Sequence, residues 1–166
     1  ADCDKVCNYI DLPLQHAADR VLKRMGRPGT RLSYERLLES IRHRIPEVAL
    51  RTTFIVGFPG ETDEDFRELC DFIGDLRFDH IGVFTYSHEE NTHAYNLEDD
   101  VPEAVKKRRL VEIVDLQQKH SAFRTKQFLG KTVEVLIEKE SKKNEDEWSG
   151  RTQQNTVAVF PKEHNK

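Results

Sequence analysis

The chain has 166 residues and three cysteines, whose spacing limits the metal chemistry the sequence can support. Cys3 and Cys7 are separated by three residues. That is the first interval of the C-x3-C-x2-C triplet that holds a site-differentiated iron–sulfur cluster, but Ile10 stands where the third thiolate is needed. Two thiolates cannot supply three iron ligands, so the pair reads as ordinary reduced cysteines. Cys70 falls on the apolar side of a helical pattern, where packing explains it. His88 and His93, with Glu89 and Glu90 beside them, are of metal-ligating type, yet their spacing within one polar loop is nonspecific. There is no Gly-x-Ser-x-Gly elbow, so serine-hydrolase chemistry has no support. Gly57-x-x-Gly60 outwardly fits the G-x-x-G loop that clamps RNA backbone, but it carries no Lys or Arg and its neighbouring strand order is wrong. It also lacks the Lys-Ser/Thr of a nucleotide P-loop. Its glycines are expected to let backbone approach a ligand closely, with a helix N-terminus just behind.

The elements around these residues follow from apolar spacing. Tyr9 to Leu14 reads as a short strand closing on Pro13, followed by helical spacing through Val21, Leu22 and Met25 and a Gly26-Arg27-Pro28-Gly29 break. Ser33 is expected to cap a helix with the stripe Leu37, Leu38, Ile41 and Ile45, stopped by Pro46. Leu50 to Gly57, rich in β-branched residues and Phe, reads as a buried strand. Thr62 and Asp65 form a capping-box pattern for a helix with Phe66, Leu69, Cys70 and Ile73 on one face. Ile81 to Tyr86 is the next strand. The order strand, helix, helix, strand, helix, strand favours a parallel sheet with crossover helices. Polar or glycine-rich residues follow each strand: Gln15 and His16, then Gly57 to Glu61, then Ser87, Glu89 and Glu90. Strand carboxyl ends share one edge in such an array, so a common site is one reading; plain turn chemistry is the other.

A long helix is expected from Pro102, at its first position, to about Leu129, with a basic excess in Lys106, Lys107, Arg108, Arg109, Lys119, Arg124 and Lys126. This stripe reads most simply as a solvated face; contact with RNA or an acidic partner is the sharper alternative. After Gly130 the pattern alternates at Val133, Val135 and Ile137, and Thr156 to Phe160 is a further strand, which marks a small β-module too short to close a barrel. With 26 Lys+Arg against 30 Asp+Glu the net charge is −4, which argues against a general nucleic-acid adhesive. No apolar run approaches the roughly 18 residues of a membrane helix, and the low, odd cysteine count points to a reducing cytoplasm.

Three strings are specific enough to name a family. Tyr9-Ile10-Asp11-Leu12-Pro13-Leu14-Gln15-His16, Arg51 through Thr62 and Phe84-Thr85-Tyr86-Ser87-His88-Glu89-Glu90 closely resemble the radical SAM methylthiotransferases. Val101-Pro102-Glu103, Arg109-Leu110 and Leu116-Gln117 resemble the family's helix leading into its TRAM domain, and Gly150-Arg151-Thr152 fits TRAM itself. His88, Asn91 and His93 depart from the family's more usual Pro, Gly and Pro.

The resemblance implies an α/β chain. It comprises the C-terminal part of a partial parallel βα barrel (residues 1–100), a connecting helix (101–129) and the start of a TRAM β-barrel module (130–166). The only methionine is Met25, and with the odd cysteine count this reads as a C-terminal piece of a longer enzyme, inactive alone because neither cluster triplet is present. In such enzymes a reduced 4Fe-4S cluster cleaves S-adenosylmethionine to an adenosyl radical that abstracts hydrogen from an unactivated carbon. A second 4Fe-4S cluster supports delivery of the methylthio group. By resemblance Gln15 faces the ribose and methionine moiety, Ile55, Gly57 and Glu61 support adenine, and Phe84 and Tyr86 offer backbone groups to the adenine edge. Arg51 pairs either with a ligand carboxylate or with a structural one, and His88, Glu89 and Glu90 form a substrate-side loop. No residue of this chain is assigned to catalysis or to a metal.

The barrel strings look like the RimO type, which modifies an aspartate β-carbon on a small-subunit ribosomal protein. The tail looks more like the MiaB type, which modifies isopentenyl-adenosine in tRNA. Because the barrel lines the reaction site, it carries more weight than the tail. The rival from another class is a cluster-free module that binds RNA or a ribosomal protein through the basic helix and β-strands.

Overall fold

The computed structural model describes residues 6–162, so Cys3 lies outside the described residues. β2 (Ala49–Val56) is the central strand of the first sheet and pairs in parallel with β1 (Tyr9–Asp11) and β3 (His80–Thr85), in the order β1-β2-β3. Between β1 and β2 the chain forms α1 (Asp19–Arg24) and α2 (Arg31–Arg44), and between β2 and β3 it forms α3 (Asp63–Leu76). α4 (Glu103–Lys126) then leads to an antiparallel sheet of β4 (Val135–Glu140), β5 (Glu147–Thr152) and β6 (Val157–Pro161). The parallel sheet with crossover helices is the arrangement the strand and helix order predicts, and the antiparallel sheet falls where a small β-module is expected. Among the described residues no helix is long and apolar enough to cross a membrane.

The alternation along β2 explains why the helices gather on one side. Leu50, Thr52, Phe54 and Val56 are buried, whereas Arg51, Thr53 and Ile55 on the opposite face are only half-buried. The buried face meets Leu38 of α2, Leu69, Phe72 and Ile73 of α3 and Ile113 of α4 in one core. Phe54 sits edge-on to Phe72 (6.4 Å between centroids) and to Phe78 (6.0 Å), the geometry aromatic quadrupoles favour. Thr62 and Asp65 exchange both capping-box hydrogen bonds at the start of α3, as the sequence predicts.

Several local expectations are corrected. Thr30, not Ser33, caps α2; Ser33 is the third helical residue and supplies the reciprocal side of the same box. Leu37 is exposed, because the apolar stripe of α2 narrows to Leu38, Ile41 and Ile45. Pro102 is the N-cap of α4 rather than its first residue, and α4 ends at Lys126, with Gln127 to Leu129 forming successive turns. Val133 precedes β4. β1 ends at Asp11, one residue before the last regular rung, in which Leu12 donates its N–H to the Arg51 carbonyl.

Phe54 touches both aromatic partners at the centre of the core, so Phe54→Ala is expected to lower unfolding free energy by about 3–5 kcal/mol. Thr62→Ala removes one cap and should cost about 1 kcal/mol. Urea titration of the two variants beside the wild type measures both.

Candidate functional site

The three strand ends are built differently. After β1 the ladder stalls and then resumes. Leu12 donates its N–H to the Arg51 carbonyl (2.9 Å) and Gln15 donates to the Thr53 carbonyl (2.8 Å), so three steps on one chain match two on the other. That extra residue is a bulge, and Gln15 closes it at φ 74°, in the left-handed region. Ile55 then donates to the Gln15 carbonyl (2.9 Å), which seats Gln15 against Phe54 at the strand edge.

The loop after β2 is organised around a buried carboxylate. Glu61 Oε2 accepts hydrogen bonds from the N–H groups of Gly57 (2.5 Å) and Phe58 (3.1 Å). Its Oε1 accepts from Arg109 Nη1 (3.1 Å), and Arg109 Nη2 reaches Asp63 Oδ1 at 2.8 Å. Burial pushes the Glu61 carboxyl up to about 7 even though Arg109 and the two amides pull it down. Next to it, His16 is wholly buried, its Nδ1 accepts from the Ala18 N–H (3.0 Å) and its Nε2 lies 3.8 Å from Glu61 Oε2. The Nδ1 acceptor role makes Nε2 the protonated nitrogen of the neutral ring, and burial lowers the His16 pKa to about 4.

Two expectations change here. The basic stripe of α4 is not uniformly solvated: Lys106 and Arg109 are buried, on the same helical face as Ile113. The glycine of this loop makes its close approach to the protein's own side chain. A Cβ on Gly57 would fall 2.3 Å from Lys106 Cγ, and its φ of 72° suits glycine besides. Lys106 Nζ pairs with Asp99 (2.7 Å) and Glu103 (3.1 Å) and lies 5.4 Å from the Tyr86 ring centre. At Gly60 the close neighbour is the guanidinium of Arg24.

Among the residues singled out from the sequence, Arg51, Ile55 and Phe84 share the face of the sheet turned away from the core helices. Ile55 is paired in register with Phe84, whose side chain is 59% exposed. Arg51 forms an ion pair with Asp11 on the same face. Gln15 borders this face. Glu61 is turned into the interior instead, and Gly57 lies under Lys106. Tyr86 is buried edge-on against Phe58 (5.2 Å), its N–H is donated to the Val56 carbonyl (2.8 Å), and its hydroxyl meets His88 Nδ1 (3.2 Å) and the Ala94 carbonyl (3.2 Å). His88, Glu89 and Glu90 are exposed, with Glu89 accepting from the Ser87 hydroxyl.

No cluster of three His, Cys, Asp or Glu side chains that could hold a metal forms among the described residues. Of the two described cysteines, Cys7 is exposed and burial pushes the Cys70 thiol up to about 12, which keeps it protonated. The described residues therefore do not fit an iron–sulfur cluster.

His16, Lys106 and Arg109 are the residues of this cluster that the sequence reading left unassigned. A signal for the last two exists: 106, 109 and 113 follow the three-then-four spacing of a single helix face, with apolar Ile113 marking it as the inner one.

Comparison with known proteins matches residues 1–73 to the Radical SAM superfamily and residues 126–166 to the TRAM domain. The chain is 51% identical over 160 residues (96% of its length, 33% of the relative's) to the tRNA-2-methylthio-N(6)-dimethylallyladenosine synthase of Christiangramia forsetii. It is 47% identical over 155 residues (93% and 34%) to the ribosomal protein uS12 methylthiotransferase RimO of the same organism. It is 50% identical over 139 residues (84% and 32%) to RimO of Alkaliphilus oremlandii. The chain belongs to the radical SAM methylthiotransferase family. It spans about a third of the length of the curated relatives it matches. The sheet-then-module order of this chain agrees with the order of the two family segments.

The opposed shifts at His16 and Glu61 give a signed pH dependence. His16 is held neutral on folding, so its contribution to stability falls as pH drops through 6.5 toward 4. Glu61 binds its proton more tightly in the folded state, so its contribution falls as pH rises from 4.5 toward 7. Relative to the wild type, His16→Gln should therefore gain stability on acidification and Glu61→Gln on alkalinisation. Each slope is expected to reach at most about 1.4 kcal/mol per pH unit. Unfolding titrations of the three proteins between pH 4.5 and 7 decide it: parallel curves sink the coupling.

Proposed function

We propose that the protein acts as a radical SAM methylthiotransferase that places a methylthio group on an aspartate of a small-subunit ribosomal protein. Within it, this chain supplies part of the cofactor surface (residues 1–100), a connecting helix (101–129) and a substrate-facing module (130–166). The observation that carries the reading is identity of about half the positions, over more than four-fifths of the chain, to proteins named as uS12 methylthiotransferases.

The uncovered sheet face fits the adenosyl half of S-adenosylmethionine. Half-buried Ile55 and exposed Phe84 lie side by side and offer an apolar surface of the kind a purine ring stacks on. Gln15 at the bulge and Arg51 beside it supply polar groups for the ribose and methionine moiety, with Asp11 holding the guanidinium in place. Glu61 and Gly57 act one step behind this surface by shaping the strand-end loop, and Tyr86 closes the apolar patch at its edge. S-adenosylmethionine held here would, with a reduced 4Fe-4S cluster whose ligands are not among the described residues, supply hydrogen abstraction from an unactivated carbon. Exposed His88, Glu89 and Glu90 then face the substrate side, and exposed Lys107, Arg108, Lys119 and Lys126 leave α4 a basic flank for an anionic partner.

A second reading, with tRNA as substrate, has its own support: the relative named for a tRNA modification is matched over 96% of the chain. Disrupting the gene and weighing ribosomal protein uS12 and the tRNA nucleosides by mass spectrometry separates the two. The expected result is loss of one methylthio group from uS12 with tRNA unchanged. The opposite pattern establishes the tRNA reading, and no loss from either removes both.

A further inference from the structure

The N-terminal part of α4, with the segment leading into it, holds the Gly57–Glu61 loop at four points. Gly60 donates its N–H to Asp100 Oδ1 (2.6 Å), and Lys106 lays its alkyl stem across Gly57. Arg109 bonds to both the side chain (3.1 Å) and the backbone carbonyl (3.3 Å) of Glu61, and it also bonds to Asp63 (2.8 Å). The other end of the same helix is fastened at the opposite edge of the sheet. There Gln117 donates to the Asp79 carbonyl (2.9 Å) and Arg124 pairs with the Asp79 carboxylate (3.2 Å).

Packing alone does not account for this choice of residues. Lys106 and Arg109 are 1% and 3% exposed, and Arg109 leaves its Nε without a hydrogen-bond partner. Desolvating such cations is costly, and apolar side chains of the same volume often stabilise at least as well. What a guanidinium adds is a rigid fork of donors. Here the fork fixes Glu61, and through Glu61 the amides of Gly57 and Phe58. The chain of contacts runs from α4 through one side chain to the backbone that follows Ile55, next to the uncovered face.

We propose that Arg109 and Lys106 are positioning residues that hold the loop after β2 in the single shape that supports the cofactor surface. The assignment of that surface to an adenosyl ligand rests on the proposed function; the holding of the loop does not.

Amide hydrogen exchange on the protein, read residue by residue, tests this. Arg109→Gln is expected to lower protection at Gly57 and Phe58 about tenfold or more while Phe54, in the core, keeps its wild-type value. Arg109→Lys should restore only part of it, since one ammonium cannot span both Glu61 and Asp63 as the fork does. Lys106→Met, which keeps the stem over Gly57, should leave protection there nearly unchanged.

A pH series adds a readout that mere loosening would not move. Glu61 faces Arg109 from α4, His16 from the segment after β1 and Asp65 from α3, and Asp63 meets it only through Arg109. Removing the only cation of that set should shift upward the pH at which Gly57 protection changes. Unchanged protection at Gly57 and Phe58 in Arg109→Gln, or an equal loss at Phe54, overturns the proposal. In a separate arm, S-adenosylhomocysteine added to the wild type should protect residues around Ile55 and Phe84. If it does not, the adenosyl reading of the face fails, while the variants still decide whether α4 holds the loop.

Discussion

A carboxylate in the interior of a small α/β unit is the constraint around which the rest of this chain is arranged. Glu61 has no exposed side-chain surface, so each of its oxygens must find protein donors, and those donors come from separate stretches of sequence. The Gly57 and Phe58 amides bring in the end of β2 and Arg109 brings in α4, while His16 Nε2 lies alongside at 3.8 Å without a hydrogen bond. Arg109 in turn recruits Asp63 at the start of α3. Breaking one side of such a buried pair typically costs about 3–5 kcal/mol because the other charge is left uncompensated. The network therefore fixes how the strand ends meet, whatever its net contribution to stability.

That arrangement has a consequence for the sheet. Parallel sheets usually have both faces covered, because crossover helices fall on either side. Here the larger core lies on one face, and the other presents Arg51, Ile55 and Phe84, of which Ile55 packs against the small cluster of Ala18, Val21, Phe58 and Tyr86 while Phe84 is exposed. A half-buried mixture of polar and apolar groups there suits the ligand surface proposed above. Phe84 would be an odd surface residue in a chain with no use for that face, since large exposed aromatic groups usually mark contact sites.

The strings on β2 and its loop made the family legible before any coordinates, and family segments and relatives agree with it. The helices with strong amphipathic stripes were legible too, as was the Thr62 cap, because each depends on residues within one or two turns. Less legible was what the glycines and cations do. Gly57 seemed to make room for a ligand, yet it makes room for Lys106, forty-nine positions further along the chain. Lys106 and Arg109 read as solvent-facing charges because a basic run normally is; their burial depends on acidic partners supplied by the β2–α3 loop and by the segment preceding α4.

Local pattern thus determined the order of strands and helices, the alternation that sends Leu50, Phe54 and Val56 to the core, and the family to which the chain belongs. Tertiary structure alone decided that Arg51 takes Asp11 as its partner, that Glu61 turns inward, and that α4 grips the loop beside the open face. The physical reason is range. Helix and strand periodicity is written in neighbours a few residues apart, whereas the partner of a buried charge is chosen by which distant segments the fold brings within hydrogen-bond reach.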